Sequence, residues 1–136
     1  MVKLIMGGKG TGKTKTIIDL VNTAVAEEKG AVVCIAKGNK LTFDISHDAR
    51  LVDVSDYAVK GYAGLLGFLS GIHAGNYDIS QFYIDSLYKI VDDEKPENAE
   101  KFLRELDAFA EKHSVKFTVA ISEDERTATE VMKKFM

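Results

Sequence analysis

The sequence predicts an α/β fold in which a mostly parallel sheet is covered by helices on both faces, giving three layers. Short apolar runs of strand length alternate along the chain with longer stretches whose apolar residues recur at helical spacing. A glycine-rich loop joins the first run to the first helical stretch, and strand–helix–strand units connect parallel strands with a right-handed crossover. With 136 residues, 46% of them apolar and 29% charged, the chain is expected to form one domain, residues 1–136.

The first three elements form one such unit. Residues 2–6 are an apolar run suited to a buried strand, and residues 14–28 carry apolar side chains at helical spacing. This helix is expected to stop at Lys29-Gly30, a cation followed by a glycine. Residues 31–36 are apolar and rich in β-branched side chains, so they predict a second buried strand.

The middle of the chain predicts two short strands and a helix. Residues 41–45 and 50–54 alternate apolar and polar side chains, which favours a hairpin or two edge strands. Residues 56–75 have helical spacing despite several glycines, each of which costs about 1 kcal/mol relative to alanine. A small-residue face packed tightly on the sheet is the favoured explanation, and a subunit contact or a helix that moves on ligand binding remains open. This small-residue face contains Gly64, Gly71 and Gly75.

The second half predicts two more strands and two more helices. Residues 81–85 form a buried strand that ends in an acid, and residues 115–121 form another strand. Pro96 is expected at the start of a helix, where a missing backbone N–H costs nothing. The sequence Ser122-Glu123-Asp124-Glu125 has the form of a capping box, which predicts the start of a last helix with an apolar face.

The loop after the first strand matches a phosphate-binding pattern. Residues 7–14 fit G-x-x-x-x-G-K-[ST] in full. In such a loop, backbone N–H groups surround the phosphates, Lys13 reaches the β and γ phosphates, and the Thr14 hydroxyl is a ligand for Mg²⁺. The helix dipole behind the loop also favours phosphate. The predicted nucleotide-binding residues are Gly7, Gly8, Lys9, Gly10, Thr11, Gly12, Lys13, Thr14 and Lys15.

A second part of the same site is predicted at the end of strand 81–85. A Mg²⁺-nucleotide site needs a carboxylate at the end of a neighbouring strand, and Asp85 supplies one. We therefore predict Thr14 and Asp85 as metal ligands, Lys13 and Asp85 as catalytic groups, and ATP with Mg²⁺ as the bound ligands. ATP is favoured over GTP because Asn39-Lys40 lacks the acid of a guanine-reading motif.

With these two motifs, the chain resembles the P-loop nucleoside triphosphate hydrolases, and more narrowly their RecA/KaiC-like branch. Residues 82–87 look like the acid-bearing strand of that branch, and residues 115–123 look like the following strand, whose polar end senses the γ-phosphate. The resemblance implies a minimal RecA-like P-loop fold with the first strand at or near a sheet edge. By analogy, Ser122 is the sensor candidate, and a role as a helix cap is compatible with it. Small uncharacterised bacterial ATP-binding P-loop proteins are also similar.

Three functions stay open at this point. The first is a Mg²⁺-dependent ATPase of low intrinsic rate. The second is a nucleotide-gated interaction module with little turnover, which is favoured by Ser86, since many ATPases of the related families carry glutamate there. The third and least favoured is a kinase for a nucleoside or another small acceptor. Type II thymidine kinases have a Ser-His pair similar to Ser46-His47, but their acid pair and zinc cysteines are missing here.

Composition narrows the expected partners. The net charge of −3 gives no basic field for nucleic acid, and no apolar run approaches the ~18 residues of a membrane span. The single cysteine, Cys34, excludes a disulfide within the chain. A cytoplasmic protein is therefore expected. A homo-oligomer or a protein partner stays open, because an uncovered edge strand can pair with another chain.

Overall fold

A computed structural model describes residues 1–136 and contains one five-stranded sheet in which every pair of neighbouring strands is parallel. The order of the strands across the sheet is β1-β5-β4-β2-β3. The predicted α/β class with a parallel sheet is therefore confirmed. The strands are β1 (Val2–Met6), β2 (Ala31–Ala36), β3 (Arg50–Asp53), β4 (Ile79–Ile84) and β5 (Lys116–Ile121).

Five α-helices connect and follow these strands, and Val54–Asp56 and Glu125–Thr127 form single 3₁₀ turns. The longest helix has Pro96 in its first turn, as predicted. No helix combines the length and the apolar character that crossing a membrane would require. The helices are α1 (Lys13–Glu27), α2 (Gly61–Gly75), α3 (Leu87–Val91), α4 (Pro96–His113) and α5 (Glu130–Lys133).

Two apolar cores lie on opposite faces of the sheet. The larger contains 26 buried residues and joins α2, α3 and α4 to one face, whereas the smaller contains 11 and joins α1 and the segment 37–49 to the other. Successive residues of a strand point to opposite faces, so Val33 belongs to the larger core and Cys34 to the smaller. Because both faces are covered, the chain has three layers, and its strands are apolar almost throughout.

The edge strand β1 is partly covered by the end of the chain. β1 pairs only with β5, which agrees with its expected position at the sheet edge. On its other side, the backbone N–H of Leu4 donates to the carbonyl of Phe135 at 2.8 Å. The segment after β5 thus uses part of the edge that another chain would otherwise pair with.

The predicted strand at residues 41–45 is wrong, and no hairpin forms. This segment consists of consecutive turns, in which the N–H of Ile45 donates to the carbonyl of Leu41 at 3.1 Å. Leu41, Ile45 and Ala49 are all buried against the α1 face, so the apolar side chains follow a spacing of four rather than two. The amide of Asn22 on α1 holds the turns by donating to the carbonyl of Asp44 at 2.9 Å. Alternating apolar and polar side chains at residues 41–45 therefore do not indicate a strand here, because the buried residues are four positions apart.

The predicted capping box at residues 122–125 does not form. Asp124 instead accepts a hydrogen bond from the N–H of Arg126 at 2.9 Å and caps the second 3₁₀ turn. Thr129 caps α5 by accepting from the N–H of Met132 at 3.2 Å. Local side-chain bonds to the backbone therefore replace the expected first helical turn, and only Glu130–Lys133 is α-helical at this end.

The close-packing interpretation of the glycines in α2 is also wrong. A Cβ added at Gly67, Gly71 or Gly75 would have no atom within 4 Å, and one at Gly64 would lie 3.8 Å from its nearest neighbour. The glycines therefore line an open side of the helix. The helix starts at Gly61 rather than at residue 56, because the preceding residues form the first 3₁₀ turn. A subunit contact and a moving helix stay predictions.

Candidate functional site

The glycine loop, residues 7–12, joins the edge strand β1 to helix α1. Its backbone is left-handed at Gly10, where φ is 80°, and at Gly12, where φ is 87°. A side chain with a Cβ rarely adopts this conformation, which explains the glycines at these two positions. Gly12 directly precedes α1 and offers no side-chain cap, and the first turn contains no acid. The N–H groups of that turn, which have no partners within a helix, are therefore left for a ligand.

The carbonyl of Gly8 closes the loop on itself. It accepts hydrogen bonds from the Thr11 hydroxyl at 2.7 Å and from the Lys13 ammonium at 2.9 Å. An ammonium group carries three donors, so two donors of Lys13 remain for other partners. A Cβ at Gly7 would lie 2.5 Å from the Thr11 hydroxyl oxygen, so a side chain there would force the Thr11 hydroxyl away from the Gly8 carbonyl. The loop therefore holds Lys13 in place without using up its charge.

Thr14 and Asp85 meet across the sheet although 71 positions separate them. The Thr14 hydroxyl lies 3.3 and 3.4 Å from the two carboxylate oxygens of Asp85. Thr14 is in the first turn of α1, and Asp85 follows β4, two strands away from β1. The N–H of Asp85 donates to the carbonyl of Ile35 at 2.9 Å, which extends the pairing of β4 with β2 and fixes the carboxylate.

Asp85 is the only charged or polar residue among the buried ones, with 8% of its surface exposed. Burial raises the pKa of Asp85, and the hydrogen bond from Thr14 and the charges of Lys13 and Lys89 oppose this rise only in part. Its ionised form therefore carries a desolvation cost that the chain alone does not offset. A cation next to the carboxylate would offset it.

The backbone turns sharply directly after this carboxylate. Ser86 has φ 58° and ψ 61°, a left-handed conformation that costs a residue with a Cβ about 1–2 kcal/mol. Strain of this kind persists where the surrounding structure enforces it, and it is often found at functional sites. Here it separates β4 from α3 and sets the direction in which the chain leaves Asp85.

A cleft of about 910 Å³ opens in front of the glycine loop. Among the predicted nucleotide-binding residues, Gly7, Gly8, Thr11 and Lys15 do not line it. Ser122, the sensor candidate, lines it from the end of β5. The size suits a small-molecule ligand such as a nucleotide. The predicted residues that do line the cleft are Lys9, Gly10, Gly12, Lys13 and Thr14.

Sequence reasoning missed several charged residues of this cleft. Lys37 follows β2, Lys40 lies in the next turn, and Lys89 is in α3. Asp92 and Glu94, which follow α3, also line the cleft. A signal for Lys37 existed, since the residues just after the carboxyl ends of parallel strands meet at the ligand-binding edge of such a sheet.

The other acids that lie near the ends of the strands do not line the cleft. Asp53 accepts from the Ser55 hydroxyl at 2.6 Å, from the Ser55 N–H at 2.9 Å and from the Gly38 N–H at 2.8 Å. These bonds, with that of the Ser55 hydroxyl foremost, lower the pKa of Asp53. Asp53 thus anchors the segment after β2 to the end of β3. The cleft lining also lacks Asp44, Asp56, Glu123 and Asp124, and it contains no arginine.

A separate cavity of about 530 Å³ lies between the segment 38–49 and β3. Ser46 and His47, the pair that is similar to one in thymidine kinases, line this cavity and not the cleft. Its walls mix charged side chains, among them Arg50 and Asp56, with apolar ones. The structure therefore separates the Ser-His pair from the glycine loop.

The oxygen atoms of Thr14 and Asp85 are ligands of the kind that Mg²⁺ prefers. No three His, Cys, Asp or Glu side chains converge at any point of the structure, so a cage built from protein ligands alone is absent. Mg²⁺ commonly keeps several waters and takes one or two protein oxygens in addition to phosphate oxygens. The Thr14 hydroxyl and the desolvated Asp85 carboxylate provide such a pair.

No protein-family model matches the chain, and no curated protein sequence matches it.

Proposed function

We propose that the protein binds ATP with Mg²⁺ through residues 7–15 and hydrolyses it slowly. The observation that carries the proposal is the contact between Thr14 and Asp85. The two residues were assigned as metal ligands from separate motifs, and the Thr14 hydroxyl lies within 3.4 Å of both carboxylate oxygens of Asp85. This contact supports the assignment because nothing in the local sequence of either residue requires the other to be near.

The phosphates would lie against the glycine loop and the first turn of α1. The free donors of Lys13, the N–H groups of the first turn and the positive end of the helix dipole all favour negative charge there. The first turn contains no acid that would oppose this charge. Ser122 lines the cleft as a hydroxyl donor, which supports its role next to the terminal phosphate.

Thr14 and Asp85 would hold the metal. The chemistry that Mg²⁺ would supply at these residues is neutralisation of the charge on the phosphate groups. The contribution of the chain is to hold the Asp85 carboxylate next to the loop, where the backbone N–H of Asp85 donates to the carbonyl of Ile35. Lys13 would stabilise negative charge on the phosphates.

Slow turnover is proposed because no well-held acid is available to position a water molecule. Besides Asp85, the acids near the loop are Asp92 and Glu94, and both are exposed. An exposed side chain on a loop positions a reacting water poorly. Ser86 occupies the place after Asp85 and has no carboxylate.

A nucleotide-gated interaction module is the second candidate, and the backbone of Ser86 favours it. A strained turn next to a phosphate site is suited to having two arrangements, one for each state of the nucleotide. A kinase is less favoured, because Ser46 and His47 lie outside the cleft. A cytoplasmic location, and self-association or a protein partner, stay predictions.

The test is phosphate release from Mg·ATP by wild type and Lys13→Ala, with binding titrated on the same samples. Lys13→Ala should weaken Mg·ATP binding by about 10–100-fold, because charged hydrogen bonds contribute about 1.5–3 kcal/mol. The fold should persist, since only the bond to Gly8 is lost. Lys101→Ala is the matched control, an exposed lysine on α4.

The outcomes separate the candidates. Phosphate release that disappears in Lys13→Ala and persists in Lys101→Ala would support the ATPase. Tight binding without release would favour the interaction module. Wild-type affinity in Lys13→Ala would overturn the site.

A further inference from the structure

A small recess opens beside the contact between Thr14 and Asp85. Its volume is about 100 Å³. Of the residues assigned to nucleotide binding, only Thr14 lines it, so the recess lies next to the proposed metal ligands and outside the glycine loop. Three exposed lysines, Lys37, Lys40 and Lys89, line both this recess and the adjoining cleft in front of the glycine loop.

None of these lysines forms an ion pair within the chain. The two ion pairs of the structure are Arg126–Asp124 and Lys133–Glu130, so none of the three lysines has a carboxylate within 4.0 Å. Asp85 is the only acid that lines the recess. The summed charge of three lysines on one recess attracts an anion.

Two hydrogen bonds link the segment after β2, which carries Lys37, to neighbouring elements without a ligand. The Lys37 ammonium donates to the carbonyl of Lys89 at 3.4 Å, which links the end of β2 to α3. The N–H of Gly38 donates to the carboxylate of Asp53 at 2.8 Å and ties the same segment to β3. A site that is held in this way loses less conformational freedom when it binds.

We propose that Lys37, Lys40 and Lys89 form a second oxyanion subsite, which binds a phosphate group that is not part of the nucleotide in the loop. The inference rests on the proposed function for the position of that nucleotide. Each ammonium is a compact charge with three donors, which suits a tetrahedral oxyanion. The phosphate is either released orthophosphate or part of a second small molecule. The cavity of about 530 Å³ shares Gly38 with the recess and could hold the body of such a molecule.

The test of the subsite begins by occupying the glycine loop with a nucleotide. Wild-type protein is saturated with Mg²⁺ and AMP-PNP, an ATP analogue that resists hydrolysis, and orthophosphate or ribose 5-phosphate is titrated by calorimetry. We expect binding that weakens about tenfold in Lys37→Met and in Lys40→Met. Lys101→Met, the matched control on α4, should bind like wild type. The Tm of each variant, expected to stay within about 2 °C of wild type because the substituted lysines are exposed, reports that each one folds.

Tighter binding of orthophosphate than of ribose 5-phosphate assigns the subsite to the product, and the reverse order assigns it to a phosphorylated second molecule. Absence of binding with both probes would overturn the proposal. It would also be overturned if Lys37→Met and Lys40→Met weaken AMP-PNP but not ADP, because these lysines would then hold the γ-phosphate of the nucleotide.

Failure of the proposed function is recognised separately. If AMP-PNP does not bind to wild type, orthophosphate is titrated into nucleotide-free Lys13→Met, in which the loop has lost its lysine. Binding that is weakened by adding Lys40→Met would support the subsite without the nucleotide site. Binding that is insensitive to Lys40→Met, or no binding at all, would overturn it.

Discussion

The two ends of helix α1 use their polar groups in opposite ways. At its beginning, Gly12 provides no side-chain cap, and Lys13 keeps two ammonium donors free. At its end, the Glu28 carboxylate accepts from the Gln81 amide at 2.6 Å, and Gln81 in turn accepts from the Tyr83 hydroxyl at 2.5 Å. Polar groups at the end of α1 are thus hydrogen-bonded within the chain, whereas those at its beginning remain free to bind a ligand.

The same contrast holds for the packing around each end. Gly30 lies so close to the start of β4 that an added Cβ would be 2.6 Å from the carbonyl oxygen of Asp78. Near the first turn of α1, by contrast, Asp85 is buried and the cost of burying its charge is only partly offset. Ser86, the next residue, has a strained left-handed backbone. The difference indicates that one end of α1 is optimised for stability, whereas the other retains unfavourable features that a ligand can relieve.

The largest effect is expected for Asp85→Asn at the beginning of α1. The neutral amide should weaken the Mg²⁺-dependent part of ATP affinity by about 10–100-fold, since a ligand charge is lost. Without metal, the same change should raise Tm at neutral pH by about 2–4 °C, because the cost of burying an ionised carboxylate disappears. Titration of ATP with and without Mg²⁺, and thermal unfolding of the metal-free protein, measure the two effects.

The pH dependence of this stabilisation follows from the raised pKa of Asp85. The folded state binds a proton more readily than the unfolded state, so wild type becomes relatively more stable as the pH falls through the folded and then the unfolded pKa. The difference in Tm between Asp85→Asn and wild type should therefore be full at neutral pH and vanish below the ordinary value of 3.8. A less stable Asp85→Asn at neutral pH would contradict the contrast between the two ends.

Gly30→Ala at the other end should act on stability alone. The new methyl group would clash with the carbonyl of Asp78 and with Ser80, which we expect to reduce the free energy of unfolding by about 1–3 kcal/mol. Gly67→Ala is the control, because its methyl group meets no atom within 4 Å and alanine favours a helix. Urea unfolding should show a loss for Gly30→Ala and no loss for Gly67→Ala. Unchanged stability of Gly30→Ala would show that the close approach relaxes freely.

The smallest effect is expected for Tyr83→Phe. Removal of the hydroxyl leaves the Gln81 side-chain oxygen without its donor, at a cost of about 1 kcal/mol in the free energy of unfolding. ATP affinity should not change, since Tyr83 lies outside the cleft. Urea unfolding and an ATP titration on the same sample measure both quantities. A change in affinity larger than the change in stability would indicate that the two ends of α1 are coupled.

The sequence by itself determined the features that depend on neighbouring residues. The glycine loop, the apolar strands and the position of Pro96 follow from local backbone freedom and side-chain periodicity, and the structure contains each of them. The same local reasoning failed at residues 41–45, because spacings of two and four are hard to tell apart over five residues. It also failed at residues 122–125, where two competing caps, Asp124 and Thr129, were available.

Only the tertiary structure decided which distant residues share a site. The strand order places β5 between β1 and β4, and this arrangement puts Asp85 against Thr14. The same sheet edge collects Lys37, Lys40 and Lys89 around a recess, although no motif marks them. Sequence spacing cannot give such contacts, because they depend on the order in which strands pair and on where the connecting segments cross the edge of the sheet.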